Sequence, residues 1–183
     1  MVHLSTLWLP ILVSAVFVFI ASNLLWMALP FWHRKDYQRL PDEKSVLGAL
    51  AAAKSGQYIA PAVDWSKASA EERTAAKTGP MALLMVRNPN AFSFGKALTI
   101  YFLYTIVISA LVGYITGVVL GPGTHYPRVF RVAGTAAILA YSFRGVPDSV
   151  WYGKPWTVTI KEFIDGVIYG LLTAGTFGWL WPH

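Results

Sequence analysis

Hydrophobic positions fall into four stretches along the chain. From Met1 to His33 there is no Asp, Glu, Lys or Arg, and the run Leu7 to Leu29 is long enough to cross about 30 Å of hydrocarbon as one helix. A second charge-free run extends from Ala97 to Pro127 and predicts a helix over Leu98 to Leu120, ended by Gly121, Pro122 and Gly123. The third stretch is shorter. Arg131 and Arg144 bracket Val132 to Phe143, so a crossing from Arg128 to Val146 requires both arginines to reach opposite headgroup layers, with a re-entrant segment as the alternative. The fourth, Thr159 to Trp181, carries Lys161, Glu162 and Asp165 in its first turns and no charge afterwards. The expected fold is therefore a membrane all-α protein, a four-helix transmembrane bundle with helix 1 in residues 1–29 and helices 2–4 in residues 97–183 (98–120, 128–146 and 159–181). A cleaved signal peptide is disfavoured, because the first stretch is too long, lacks a basic start and has no small-residue cleavage site before Arg34.

Residues 30–96 break this pattern and predict a small α+β cytoplasmic insertion between helices 1 and 2. Pro41-Asp42-Glu43 opens a helix whose apolar stripe is Val46, Leu47 and Leu50 and which Gly56 stops. Ser69 and Glu72 have capping-box spacing and begin a second helix that ends near Lys77 and Gly79. Gln57 to Val63 and Met81 to Val86 read as strands of one ribbon, followed by a turn at Asn88-Pro89-Asn90. A ribbon of this size is marginal alone. It reads as a docking module or as a structured connector, and size favours the connector.

Small residues recur every four positions within two of the stretches: Ser109, Gly113, Gly117 and Gly121 in the second, Gly166, Gly170, Ala174 and Gly178 in the fourth. Each row gives a helix one smooth face. Helices in lipid gain from close backbone approach, so these faces are expected to pack against other helices, within the chain or between copies.

Composition reinforces the membrane reading: 55% of residues are hydrophobic and 13% charged, against about 25% charged in ordinary soluble domains. The net charge of +6 would suggest nucleic acid in a soluble protein. Here its distribution sets orientation instead. With the N-terminus outside, all 15 Lys and Arg except Arg128 and Arg131 fall on the cytoplasmic side. Trp8, Trp179 and Trp181 then lie at the outer boundary, and Trp26, Trp32, Trp151 and Trp156 at the inner one. Both termini are expected in the periplasm, and His33, Arg34, Lys35 and Arg39 are expected to meet anionic lipid rather than nucleic acid. The chain has no cysteine, which excludes disulfides, thiolate metal sites and cysteine nucleophiles.

The main polar concentration is Arg144, Asp148, Lys154, Lys161, Glu162 and Asp165. Asp165 lies about 6 Å along the helix from Lys161, one turn deeper, and a carboxylate at that depth must find a cation or a proton. Arg144 is its expected partner. As a site the set Arg144, Asp148, Lys161 and Asp165 reads as an ion-pair lock or as a proton or substrate relay, and the lock is favoured because no second intramembrane acid or His accompanies Asp165. His3, His125 and His183 lie on the outer side and His33 on the inner, all outside the spans, which excludes paired haem ligands and leaves ordinary interfacial histidines as the reading of all four. A zinc or copper site at the outer three is disfavoured by frayed chain ends and a lack of acidic neighbours. No phosphate loop, hydrolase elbow or metalloprotease motif can be drawn. No catalytic residue, cofactor or metal is expected.

The stretch His33 to Glu43 and the stretch Trp156 to Pro182, with Ile168-Tyr-Gly-Leu-Leu-Thr-Ala-Gly-Thr-Phe-Gly-Trp-Leu-Trp-Pro182, resemble a family of small bacterial inner-membrane proteins with four transmembrane helices. The resemblance covers most of the chain. It implies a multi-pass protein of the bacterial inner membrane, with no residue role to transfer. The function expected from packing and orientation is that of a non-enzymatic accessory or scaffold subunit of a larger membrane complex, or a self-associating bundle. The alternative is a small transporter or channel subunit in which Arg144, Asp148 and Asp165 line a vestibule on the cytoplasmic side. A lipid-handling enzyme would need a nucleophile that nothing identifies.

Overall fold

The computed structural model describes residues 1–88, 90 and 92–183. In chain order the elements are α1 (Trp8–Asn23), α2 (Pro30–His33), α3 (Glu43–Leu50), β1 (Gly56–Ala60), α4 (Ala70–Thr78), β2 (Ala82–Val86), α5 (Phe94–Val119), α6 (Tyr126–Ser142), α7 (Val146–Tyr152) and α8 (Trp156–Trp179). Two compact units emerge, Met1–Gln38 with Phe94–His183, and Arg39–Ser93. Pro30–Gln38, which the hydropathy pattern places in the insertion, therefore belongs with the long helices.

The first unit is a bundle of α1, α5, α6 and α8. Val2 N donates to Gly117 O at 2.8 Å, and Gly123 N donates to Pro182 O at 2.8 Å. Trp181 Nε1 donates to Gly121 O at 3.0 Å. These bonds gather both termini and the α5–α6 turn at one end. His33, after α1, meets Asp165, in the first half of α8, toward the other end, so successive long helices alternate in direction. Leu7, Val18, Val112, Val129 and Phe177 are fully buried in the core, while Ile100, Leu103, Val107 and Leu111 of α5 stay exposed. A helix apolar on its outer face as well as its inner one suits apolar surroundings. Two helices are long and apolar enough to cross a membrane, Leu4–Ala28 and Phe94–Val119. The first continues α1 through a 3₁₀ turn at Leu4–Leu7 and a π-helical turn at Leu24–Ala28. By contrast, α6 has 17 residues, a rise of about 25 Å, and α8 carries three charges in its first half.

Within the chain, most of the small residues lie against a neighbouring helix. The row on α8 faces α6: a Cβ on Gly166 would lie 2.6 Å from Ser142 Cα, one on Gly170 3.0 Å from Ile138 N, and one on Gly178 2.7 Å from the Tyr126 ring. From the other side, a Cβ on Gly134 of α6 would sit 3.0 Å from Ala174 Cβ. On α5, Gly113 faces Ile11 of α1 and Phe177, and Gly117 faces Val2 O and Leu7. Ser109 is buried in the interior, whereas a Cβ on Gly121 would meet nothing within 4 Å. Within one chain the α8 row thus faces α6, and the α5 row faces α1 and, at Gly113, Phe177 of α8.

In the second unit, Asp42 caps α3 by accepting from Ser45 N at 3.1 Å. The capping box at Ser69 is complete, with Ser69 N donating to Glu72 at 2.8 Å and Glu72 N to Ser69 Oγ at 3.1 Å. Strands β1 and β2 pair antiparallel, from Gly56 opposite Val86 to Ala60 opposite Ala82. Pro61 follows β1 and lacks the N–H that a longer ladder needs. The turn expected at Asn88-Pro89-Asn90 falls on Pro89, which lies outside the described residues. None of the described residues from Arg39 to Ser93 is buried.

Candidate functional site

Asp165 sits ten residues into α8 and is 2% exposed. Its Oδ1 accepts from Trp32 Nε1 at 2.7 Å, and its Oδ2 lies 2.7 Å from His33 Nε2. The other imidazole nitrogen, Nδ1, lies 2.7 Å from Asp36 Oδ2. Lys161 Nζ donates to Asp36 Oδ1 and, at 2.7 Å, to Trp32 O. His33 is 4% exposed and is stacked under Trp26 with centroids 3.9 Å apart. The result is a chain that runs from half-buried Lys161 through Asp36 to the buried His33 and Asp165, with the Trp32 indole at its end.

Local sequence explains how the chain of groups is held. The π-helical turn at Leu24–Ala28 swings Trp26 over the imidazole, a distortion that often accompanies functional sites. Pro30 occupies the first turn of α2, which suits its fixed φ and missing N–H, and Leu29 before it leaves the α region. This bend carries Trp32, His33 and Asp36 onto α8. There Lys161 and Asp165 share one face, four residues apart. His33 and Asp36 stand three apart across a helix end and meet on one side for the same reason.

Hydrogen counting constrains the imidazole. Both nitrogens face carboxylate oxygens, and neutral imidazole donates only once, so either the ring carries both protons or one carboxyl carries one. Asp36, outside the long helices, feels two opposed effects. Burial raises its pKa, and the hydrogen bonds and charges of Lys161 and His33 outweigh that, so its pKa lies below the ordinary 3.8.

A cavity of about 310 Å³ opens against Asp165. Every long helix contributes to its wall: Ser22 and Asn23 from α1, Tyr101 and Tyr104 from α5, Tyr141 from α6, and Glu162, Asp165 and Tyr169 from α8. Trp26, Met27 and Arg144 complete it. Glu162 is held by Lys154, whose Nζ lies 2.6 Å from both its oxygens. The hydroxyls of Tyr141 and Tyr169 are buried and have no hydrogen-bond partner among the described residues. They lie near Ser109 and the Trp26 indole respectively, out of hydrogen-bond geometry with either.

Of the residues singled out from the sequence, Lys161 and Asp165 meet at this site, and Arg144 borders it. The expected Arg144–Asp165 ion pair does not form: His33 and Trp32 take the carboxylate, and Arg144, exposed at the end of α6, makes no ion pair among the described residues. Asp148 is exposed in the first turn of α7, and its backbone oxygen accepts from Lys154 N at 3.3 Å. His33 is not an ordinary interfacial histidine but the centre of the site. Sequence reasoning also passed over Asp36, Trp32 and the four tyrosines. The signal was present in Trp32-His33 followed by Asp36 just after Pro30, set against Lys161 and Asp165. Among the described residues no group of three His, Asp or Glu side chains has the arrangement of a metal site.

Compared with protein-family models, curated proteins and solved structures, the chain matches none of them.

Proposed function

We propose that this is a multi-pass membrane protein of four crossings that binds a small molecule in the cavity between its helices and handles protons through Asp36, His33 and Asp165, as a small transporter or channel subunit does. The observation that carries this reading is the position of Asp165, which lines the cavity on one side and contacts His33 on the other. Sequence alone favours a lock because Asp165 lacks a second acid or His. His33 and Asp36 now supply both just beyond the end of α1, and chains of Asp and His mark proton pathways in pumps and transporters. The four crossings are supported by the alternating directions of the long helices and by the apolar outer face of α5. The charge bias and the tryptophans support termini in the periplasm of a bacterial inner membrane, with the cavity toward the cytoplasm. A non-enzymatic role is supported by the imidazole itself: carboxylates hold both nitrogens, leaving neither to activate a hydroxyl.

The test is occupancy. Protein purified gently from its membrane should retain a stoichiometric small molecule in native mass spectrometry. Ser22→Phe, which places a ring on the cavity wall, should lose it while keeping a cooperative thermal transition. Proteoliposomes should collapse an imposed pH gradient faster than empty vesicles, and Asp165→Asn should abolish the difference. A wild type that carries nothing and moves no protons would remove the proposal.

A second reading, an accessory subunit of a larger complex, is favoured by the Arg39–Ser93 unit, whose ribbon leaves Ile59, Leu83 and Met85 exposed. Stable stoichiometric protein companions after purification would support it.

A further inference from the structure

Residues 29–36 are fastened to α8 by polar bonds. Trp32 Nε1 and His33 Nε2 both meet Asp165, at 2.7 Å each, and Lys161 Nζ donates to Asp36 Oδ1 and to Trp32 O. Two residues of α8 thus supply all of these bonds. Among the described residues from Leu29 to Gln38, His33 alone is buried, and Phe31 is exposed. Just before this strap, Trp26 and Met27 stand on the cavity wall, and Trp26 is stacked on the His33 ring. The fastening of the strap and the wall of the cavity therefore share one imidazole.

That fastening depends on a single proton. Each ring nitrogen lies 2.7 Å from a carboxylate oxygen, so the chain Asp36, His33, Asp165 is complete only while it holds one proton more than a neutral imidazole and two carboxylates carry. When this proton passes to water, one carboxylate oxygen faces a ring lone pair. No neighbouring cation is placed to take over: Lys161 is already on Asp36, Lys154 is on Glu162, and Arg144, at the end of α6, makes no ion pair among the described residues. A buried charge without its partner is costly, and a strap with no buried apolar anchor relieves that cost by leaving α8 and letting water in.

We propose that residues 29–36 form a proton-operated strap, docked on α8 while the chain holds the extra proton and released when it is lost, drawing Trp26 and Met27 from the cavity wall. The docking stands on the bonds above; only the purpose of the opening rests on the ligand-binding reading.

The experiment is hydrogen exchange read by mass spectrometry on the full chain in phosphatidylcholine nanodiscs, from about pH 6 to about pH 10, which brackets ordinary histidine titration, with labelling times scaled to the intrinsic rate. The amides of Trp32, Arg34 and Asp36, bonded to Leu29 O, Pro30 O and His33 O, report the strap. Their protection should fall at least about tenfold as pH rises, while residues 166–178 of α8 keep theirs. Asp36→Asn supplies the missing N–H to the ring and leaves its oxygen for Lys161, so at the alkaline end its strap should be about tenfold better protected than that of the wild type. A purely structural Asp36 predicts the reverse, a looser strap at every pH. His33→Gln should give low protection without a pH step. Wild-type protection that does not change with pH, an Asp36→Asn strap as loose as the wild type at the alkaline end, or loss of protection in α8 together with the strap would each overturn the proposal. A pH step in a protein that carries no small molecule and moves no protons leaves the strap standing and removes the ligand-binding reading. Proton flux without the step removes the strap alone.

Discussion

Asp36 shows how a single carboxyl reports on its surroundings. Its pKa is lowered, because the Lys161 and His33 interactions outweigh the upward push of burial. A folded pKa below the unfolded one means that the carboxylate adds stability above the ordinary value of 3.8 and loses it as pH falls through the lower folded value. Melting curves of the detergent-solubilised protein should therefore fall more steeply below about pH 4 in the wild type than in Asp36→Asn, and superimposable acid limbs would refute the assignment. At neutral pH, His33→Gln and Asp165→Asn should each cost about 3 kcal/mol, since each strands a buried polar partner. Together they should cost at least about 1 kcal/mol less than the sum, because the groups touch. Arg144→Ala, by contrast, should lie within about 0.5 kcal/mol of the wild type. Asp165 was recognisable from the sequence as a carboxylate in need of a partner, because its depth follows from helix geometry. The identity of that partner was not, since Arg144 and His33 are equally compatible with the hydropathy pattern.

At the scale of helices and strands, the small residues make the sharpest test. A methyl on Gly166 would stand 2.6 Å from Ser142 Cα and 2.8 Å from its N, backbone atoms that cannot swing aside. Gly166→Ala should destabilise the bundle by about 2 kcal/mol through overpacking. Gly121→Ala, in the same small-residue spacing but with nothing within 4 Å, should be neutral within about 0.5 kcal/mol. Equal effects of the two in denaturation curves would reject the packing account. The rows themselves were legible, since a four-residue repeat makes one smooth face on any helix. Which neighbour lies against that face is a property of two helices, and the α6 side, with Ser142, Ile138 and Gly134, mixes large with small and carries no comparable row. Caps were read from the sequence at Asp42 and Ser69 because their bonds span only three residues. The strand pairing was read as well, although Pro61 shortens β1. With no described residue buried between Arg39 and Ser93, an isolated 39–93 fragment should show no cooperative thermal transition by circular dichroism, and a sharp one would contradict this.

For the whole molecule, the direction of the long helices predicts which loops share a side. Single cysteines in place of Thr124, beside the α5–α6 turn, and Tyr152, at the end of α7, should react with a membrane-impermeant thiol reagent from opposite faces of sealed vesicles. The absence of native cysteine makes the labelling clean; labelling of both from one face would undo the proposed four crossings. The amino-acid sequence by itself determined the four apolar stretches, the helix caps, the ribbon and the smooth faces, because hydropathy, capping and residue size act within one helix or one turn. Only the tertiary structure decided that His33 stands between Asp36 and an Asp165 that is 132 residues away, with a cavity beyond. A hydrogen bond reaches about 3 Å, and which side chains come that close depends on how separate helices cross.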